Sequence, residues 1–283
     1  MIITSVNNDR IKNLVRLKEK KYRDKMGLFF IEGLDIISEA YKCGLLKELY
    51  ILDGYDNPYK SIPYTSVSYE VMKKISDMES ISEYYGVCYK KEDEALGNRI
   101  IILDGIQDPG NLGTIIRSAV AFNIDTVVLS KECVDIYNSK TLRSTKGMIF
   151  NKNVIVRDIV PFISSLDGYT IYGTDVNDGV DVREIDIPKC LAIVIGNEGT
   201  GISKIVHDMC DKFIYINCTD NINDKKIIND LNDKLSIITD YDIVLPAIIY
   251  YKNEKPVDYI DSTNQILTGD KFVQLMDKWE VNK

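Results

Sequence analysis

Histidine and paired cysteines are scarce in this sequence, and their scarcity excludes several kinds of site. His207 is the one histidine, and the six cysteines form no Cys-x-x-Cys pair and follow no regular spacing. A single histidine rules out the His-Glu-x-x-His zinc motif, and the cysteine spacing argues against a zinc ribbon and against a disulfide framework. We therefore expect no metal centre, cysteines that are mostly small buried side chains, and a reduced cytoplasmic protein.

Long hydrophobic runs and an excess of positive charge are also missing. No uncharged apolar stretch reaches the roughly 18 residues that suggest a membrane span, so we expect no membrane partner. The first residues lack the basic-then-apolar order of a secretory signal. The 283 residues include 43 acidic and 35 basic side chains, a formal net charge of −8. A nucleic-acid partner would therefore need a local basic surface, because phosphate affinity comes from local Lys and Arg.

Such a local excess of positive charge occurs near the start of the chain. Residues 10–25 contain eight basic side chains, and Ile11, Leu14 and Leu17 recur among them at near-helical spacing. This pattern predicts an amphipathic helix with a basic outer face. The face could be an ordinary solvated surface or a phosphate-binding surface, and the composition leaves both open.

The spacing of apolar segments predicts three regions. Residues 1–92 predict a small α/β domain, and the polar stretch 90–99 separates it from the next region, 98–252. There, apolar strands at 99–106, 126–130, 153–158, 169–176, 191–197 and 212–217 alternate with helical patterns at 111–123 and 138–150. This alternation predicts an α/β fold with a largely parallel sheet, and ligands of such sheets bind at the carboxyl ends of strands. Residues 253–283 are a tail with a short helix by spacing.

A first candidate loop follows the strand at 99–106. The segment Asp-Pro-Gly-Asn at 108–111 is a turn by residue type, and Asn111 is predicted to cap the helix that begins there. Gly113 would allow a close backbone approach, and Arg117 would project from the same end of the sheet. On spacing alone, a surface salt bridge is the simpler interpretation of Arg117.

A second candidate loop follows the strand at 191–197. Gly196, Gly199 and Gly201 flank Asn197 and Glu198. The pattern is neither a Walker loop nor the dinucleotide-binding Gly-x-Gly-x-x-Gly, so a nicotinamide-dependent oxidoreductase is a weak alternative. Glycines at the end of a strand can still let the backbone wrap a nucleoside.

The two loops taken together resemble a known family. DPGNLGTIIRSAVAFNID at 108–125 and IVIGNEGTGIS at 193–203 resemble motifs one and two of the SpoU (TrmH) family of RNA ribose 2′-O-methyltransferases. The segment VDIYNSKTLRSTKGMIF at 134–150 resembles the part that links those motifs. Residues 3–40 resemble the L30e-like RNA-binding substrate domain of the longer members, so the resemblance extends over roughly residues 2–216.

The resemblance implies a SPOUT-type α/β domain with a trefoil knot, a rare exception to normal connectivity. It further implies S-adenosyl-L-methionine as the cofactor, a homodimer with the site near the dimer interface, and an RNA substrate. Ribosomal RNA is preferred over transfer RNA, because members with this first domain mostly act on ribosomal RNA. The basic side chains expected to bind that RNA are Arg16, Lys20, Arg23, Arg143 and Lys146.

The resemblance also assigns roles within the site. Asn111 and Arg117 match the ribose and phosphate site, and Glu198 supports it. The positions expected to hold or adjoin the cofactor are Thr174, Gly196, Asn197, Gly201 and Ile216. A guanidinium with a pKa above about 12 is a poor base. We therefore expect Arg117 to grip the adjacent phosphate and to stabilise the developing alkoxide, with Glu198 orienting it through a bidentate pair.

The chain departs from the family after Ile216. Relatives continue with a Pro-Met pair and a Ser-Leu-Asn-Val stretch, whereas Asn217 and Cys218 follow here. The apolar run 243–252 could replace the knot helix. The main alternative is therefore a degenerate relative that binds structured RNA without methylating it.

Overall fold

The computed structural model describes residues 2–78, 80–175, 178–216, 249–252 and 255–259. The chain divides into two compact units. The first comprises the described residues of 1–95, 106–116 and 132–154, and the second comprises 96–105, 117–131 and the described residues from 155 onward. Two segments from beyond the predicted linker, 106–116 and 132–154, thus pack with the first unit. Within the described ranges, no helix is long and apolar enough to cross a membrane.

The first unit contains a five-stranded mixed sheet. Its elements up to residue 89 are β1 (Ile2–Ile3), α1 (Asp9–Arg16), α2 (Lys20–Met26), β2 (Leu28–Glu32), α3 (Leu34–Lys42), β3 (Leu46–Leu52), β4 (Tyr64–Val67), α4 (Tyr69–Ile75) and β5 (Tyr84–Tyr89). The strand order is β1-β4-β3-β5-β2, with β1 and β3 parallel to β4, and β5 antiparallel to β2 and β3. Ile11 and Leu14 of α1 lie in its core with Met72 of α4. This burial follows from the apolar spacing of α1.

The remaining elements continue in chain order. They are β6 (Arg99–Asp104), α5 (Pro109–Ala121), β7 (Thr126–Leu129), α6 (Ser139–Ser144), a 3-10 turn (Met148–Asn151), β8 (Asn153–Val156), α7 (Ile159–Ser164), β9 (Thr170–Thr174), β10 (Val180–Asp181), a 3-10 turn (Val182–Glu184), β11 (Leu191–Gly196), α8 (Lys204–His207), β12 (Lys212–Tyr215), β13 (Ile249–Lys252) and β14 (Lys255–Tyr259). The predicted helix over 138–150 is thus interrupted after Ser144. The interruption coincides with positive φ at Lys146 (51°) and Gly147 (84°), which a helix cannot contain.

The second sheet has seven strands in the order β10-β12-β9-β11-β6-β7-β8. The pairings β10/β12, β12/β9, β9/β11, β11/β6 and β6/β7 are all parallel. Ile100, Ile102, Val128 and Val194 are buried in its core. Strands that are covered on both faces have nearly continuous apolar sequences, and for this reason they could be predicted from the sequence. The largely parallel sheet predicted for the second region is confirmed.

Most of the C-terminal predictions concern residues that lie outside the described ranges. These are residues 217–248 and the tail from 260, where the short helix was predicted. Of the apolar run 243–252, only the last four residues are described, and they form β13, which pairs antiparallel with β14. At these four positions the chain is a strand, so they do not belong to a knot helix.

Candidate active site

Four adjacent parallel strands of the second unit end at one edge of the sheet. In sheet order these are β12, β9, β11 and β6. Gly196 at the end of β11 pairs with Asp104 at the end of β6, and Thr174 at the end of β9 pairs with Ile214 of β12. Ile216 follows β12 and is 51% exposed. The structure therefore brings Thr174, Gly196 and Ile216 to the same edge, as the strand pattern requires.

The loop after β11, residues 196–203, is called the glycine loop below. Asn197 and Gly201 exchange two backbone hydrogen bonds, with N–O distances of 3.0 and 2.9 Å. These bonds fold the loop back on itself. A Cβ placed on Gly196 would overlap the carbonyl carbon of Gly201, so the fold of the loop requires glycine at 196.

The side chain of Asn197 is engaged in shaping this loop. Its Nδ2 donates to the Gly105 carbonyl oxygen at 2.8 Å. Its Oδ1 accepts from the backbone N–H of Gly199 at 2.9 Å and of Thr200 at 3.2 Å. A cofactor role for Asn197 would therefore act through the shape of the loop and through its backbone.

A second connection joins the glycine loop to β6, because Asp104 Oδ2 accepts from the Ser203 backbone N–H at 2.8 Å. The end of β6 is held in turn by Gly105 N, which donates to the buried Ser130 Oγ at 3.1 Å. Neither Asp104 nor Ser130 was predicted from the sequence to take part in the site. The available signal for Asp104 was its position as the first charged residue after the apolar run 100–103, at the carboxyl end of a central strand.

The helix α5 begins differently from the prediction. Asp108, not Asn111, precedes the helix, and its Oδ1 accepts the Asn111 backbone N–H at 2.8 Å. Pro109 occupies the first helical position, which proline favours because its missing N–H costs nothing there. Asn111 is therefore an exposed residue of the first turn, and the prediction that it caps the helix is wrong.

Three further sequence-predicted residues have clear positions. Gly113 lies so close to α6 that a Cβ there would overlap the side chain of Ser144, which confirms the predicted close approach. Arg117 is a half-buried residue of α5, and Glu198 is an exposed residue of the glycine loop. Arg117 and Glu198 belong to the second unit, whereas Asn111 belongs to the first.

Thr174 and Asp175 are adjacent in sequence but contact different partners. Thr174 Oγ1 donates to the Val194 carbonyl oxygen at 3.1 Å and the residue is exposed. His207 Nε2 lies 3.4 Å from Asp175 Oδ2, and its ring stacks on Phe213 with centroids 4.0 Å apart. Ligand atoms of Asp175, Asp178 and His207 lie within 4.8 Å of one another, but such acidic groups are common without a metal. The expectation of no metal centre stays a prediction.

The thiol of Cys210, shortly before β12, is unsuited to nucleophilic chemistry. Burial, with smaller contributions from Asp211 and Asp104, raises the pKa of Cys210 to about 11. Its Sγ donates to the Val206 carbonyl oxygen at 3.3 Å. A thiol with a raised pKa carries little thiolate at neutral pH and is a poor nucleophile.

The predicted RNA-binding residues of the first unit fall into two groups. Arg16, Lys20 and Lys146 are exposed, and Arg143 is half-buried on α6. We call the exposed cations of α1 and α2 the basic surface, which consists of Arg10, Lys12, Arg16, Lys20, Lys21 and Lys25. Within it, the guanidinium carbon of Arg16 and the Nζ of Lys21 lie 5.7 and 4.9 Å from the ring centre of Tyr22.

Arg23 is the second group, because it is buried, and this corrects the prediction that it binds RNA. It is 6% exposed, and its Nη1 donates to the carbonyl oxygens of Leu17 and Lys18 at 2.8 and 2.7 Å. Its Nη2 donates to Asp135 Oδ2 at 2.5 Å. The guanidinium is therefore committed inside the first unit, and we remove Arg23 from the residues expected to bind RNA.

Two family models match separate parts of the chain. Residues 98–223 match the SpoU rRNA Methylase family, and residues 8–83 match the MRM3-like substrate binding domain. The chain is 33% identical over 221 residues, 76% of its length, to the 23S rRNA (guanosine(2553)-2'-O)-methyltransferase RlmP of Bacillus subtilis, of which the match spans 89%.

Solved structures match the fold over most of the chain. An rRNA methyltransferase from Sinorhizobium meliloti superposes with a TM-score of 0.71 at 23% identity, covering 84% of this chain and 99% of that one. The SpoU methyltransferase AviRb from Streptomyces viridochromogenes, in complex with AdoMet, gives a TM-score of 0.67 at 21% identity, covering 82% and 97%. These likenesses confirm the predicted fold class, a small α/β domain followed by a SPOUT-type parallel-sheet domain.

Proposed function

Because the chain belongs to the SpoU rRNA methylase family, we propose that it methylates a ribose 2′-hydroxyl of ribosomal RNA with S-adenosyl-L-methionine as the donor. The observation that carries this proposal is its 33% identity, spanning 89% of the relative, to a 23S rRNA 2′-O-methyltransferase. The edge formed by β12, β9, β11 and β6 supports it, because ligands of parallel sheets bind at the carboxyl ends of strands.

The residues at this edge fit a nucleoside cofactor. A Cβ at Gly201 would meet nothing within 4 Å, and one at Gly199 only the loop's own Asn197, at 3.5 Å. The glycine loop thus presents bare backbone to its surroundings, which leaves room for a ribose or an adenine to lie against it. The exposed Ile216 offers an apolar contact at the end of β12. We assign the cofactor contacts to Thr174, Gly196, Asn197, Gly201 and Ile216.

When bound, S-adenosyl-L-methionine supplies a methyl carbon made electrophilic by its sulfonium. The chain's own residues orient the acceptor and stabilise its charge. Arg117 donates to the RNA phosphate and to the 2′-oxygen as negative charge develops on it. It does not act as a base, so the hydroxyl proton passes to water as the methyl group is transferred and S-adenosyl-L-homocysteine is left. Glu198 orients the guanidinium, and Asn111 hydrogen-bonds the ribose. Holding the reacting groups in line supplies much of the rate.

The first unit would bind the RNA. Arg16 and Lys20 of the basic surface, together with Arg143 and Lys146, carry the positive charge for phosphate contacts. Ribosomal RNA is favoured over transfer RNA by the relative's activity. The resemblance further supports a homodimer that acts in the cytoplasm.

A second function is favoured by one observation. Asn217 and Cys218 follow Ile216 at the point where relatives begin their third motif, which supplies cofactor contacts and a catalytic Ser or Asn. A chain that has lost this motif would bind structured RNA without methylating it.

Calorimetric titration of the full chain with S-adenosyl-L-methionine separates the two functions. The methyltransferase predicts saturable binding at one site per chain, with no binding of reduced nicotinamide. RNA binding without any detectable cofactor binding would support the degenerate relative instead.

A further inference from the structure

We propose that Asp104 is a positioning residue that holds the glycine loop in the form that binds the cofactor. The inference rests on the proposed function, because it assigns the loop a cofactor. The family resemblance assigns no role to Asp104. It is distinct from Asn111 and Arg117, which contact the substrate in the proposed mechanism, and from Glu198, which orients Arg117.

The geometry places Asp104 where the loop begins and where it returns. Gly196, the first residue of the loop, pairs with Asp104 across β11 and β6. Seven residues later the chain comes back, and the Ser203 N–H donates to Asp104 Oδ2 at 2.8 Å. One residue of a central strand therefore anchors both ends of the glycine loop.

A neighbouring contact reinforces this anchor but cannot replace it. Asn197 Nδ2 donates to the carbonyl oxygen of Gly105, so the start of the loop has a second connection to the end of β6. For the end of the loop, the carboxylate of Asp104 provides the connection. Ser203 immediately precedes α8, and its side chain makes no hydrogen bond to the helix, so the helix start has no local cap of that kind.

The contacts of Asp104 argue for a local task. Among the described residues, the Ser203 N–H is the one hydrogen-bond donor to this half-buried carboxylate. Keeping a carboxylate away from water is unfavourable unless hydrogen bonds compensate for it. A single bond to a loop amide does little for the core of the sheet, whereas it fixes the one segment that has to be shaped for a ligand.

Loss of this bond should reduce the population of the binding-competent loop. The apparent dissociation constant equals the intrinsic constant divided by the competent fraction. If Asp104→Ala leaves the loop competent about a tenth of the time, the affinity for S-adenosyl-L-methionine falls about tenfold. Asp104→Asn keeps an oxygen that accepts the Ser203 N–H, so it should stay within about twofold of the parent.

The experiment measures two properties of the full-length parent, Asp104→Ala, Asp104→Asn and the control Asp208→Ala. Asp208 is an exposed aspartate just after α8, outside the loop and the proposed site. Calorimetry gives the affinities for S-adenosyl-L-methionine and for its uncharged-sulfur product, S-adenosyl-L-homocysteine. Amide hydrogen exchange in the ligand-free proteins reports directly on the Ser203 N–H. Thermal unfolding verifies that each variant is folded.

The proposal predicts that Asp104→Ala weakens both ligands alike and speeds exchange at Ser203, that Asp104→Asn restores both properties, and that Asp208→Ala changes neither. Unchanged exchange and affinity in a folded Asp104→Ala would overturn it. Selective loss of S-adenosyl-L-methionine binding in Asp104→Asn would also overturn it, because the carboxylate would then act through its charge. Absence of cofactor binding in the parent would contradict the proposed function, and the exchange rates would still decide whether Asp104 holds the loop.

Discussion

The glycine loop and the basic surface bind their proposed ligands by different physical means. In the glycine loop, hydrogen bonds from Asn197 and to Asp104 fix the backbone, and the side chains that shape the loop are themselves engaged. In the basic surface, Arg16 and Lys20 are exposed. The loop therefore depends on shape, whereas the surface depends on charge. Changes to the loop should lower cofactor affinity strongly at any salt concentration. Changes to the surface should lower RNA affinity weakly, by an amount that shrinks as the salt concentration rises.

The largest effect is expected at Arg117, on the substrate side of the loop's proposed site. Arg117→Ala should lower kcat by on the order of 10²–10³, because one transition-state donor is lost. Cofactor affinity should stay unchanged in calorimetry. Arg157→Ala, in the same unit, is the matched control and should retain activity. Equal rates for Arg117→Ala and the parent would remove Arg117 from the mechanism.

Arg23 tests whether a basic side chain beside the basic surface can belong to the interior instead. Arg23→Ala leaves the carboxylate of Asp135 without its guanidinium partner and should lower the free energy of unfolding by about 3 kcal/mol. Lys20→Ala, at an exposed site, should change it by less than about 0.5 kcal/mol. Denaturant unfolding followed by circular dichroism measures both. A weakened salt dependence of RNA binding with unchanged stability in Arg23→Ala would restore its predicted RNA contact.

Gly196→Ala tests the shape dependence of the loop directly. The added methyl group would overlap the Gly201 backbone, so the loop must rearrange, and we expect cofactor affinity to fall at least about tenfold. Asp208→Ala, at an exposed site just after α8 and outside the loop, serves as the control. If both variants bind the cofactor equally well, the fold of the loop is not what binding requires.

The smallest effect is expected at the basic surface. Removing Arg16 and Lys20 together should reduce the slope of log affinity against log salt by about 1.4–1.8, because two phosphate contacts are lost. Filter binding of structured RNA at several salt concentrations measures the slope. Replacing the exposed Lys60 and Lys73 with alanine is the charge-matched control. An unchanged slope in the Arg16 and Lys20 variant would reduce the basic surface to an ordinary solvated face.

Sequence patterns predicted the sheet that positions the site better than they predicted individual side chains. The apolar runs of β6, β7 and β11 are strong because these strands lie inside a parallel sheet. The misplacement of Arg23 has a definite cause. The prediction continued one helical phase through residues 10–25, but α1 ends at Arg16 and α2 begins at Lys20, so the phase is lost in the turn between them.

Two further features of the structure differ from the predictions because they depend on contacts that the spacing of apolar residues does not encode. Asn111 was expected to cap α5, but Asp108 precedes a proline at the first helical position and accepts the Asn111 N–H instead. Asp104 and Ser203 are 99 residues apart, and their hydrogen bond depends on the pairing of β6 with β11. A pattern in a single sequence gives no register between strands, so this contact required the structure.

Methyl transfer to ribosomal RNA tests the central claim most directly. The full chain is incubated with ribosomal RNA and S-adenosyl-L-methionine labelled in the methyl group, and the RNA is then hydrolysed with alkali. A methylated 2′-oxygen blocks cleavage at the next phosphodiester, so the account predicts label in alkali-resistant dinucleotides, and its loss with Arg117→Ala. Label in mononucleotides alone, or no label with a protein that binds both cofactor and RNA, would contradict it.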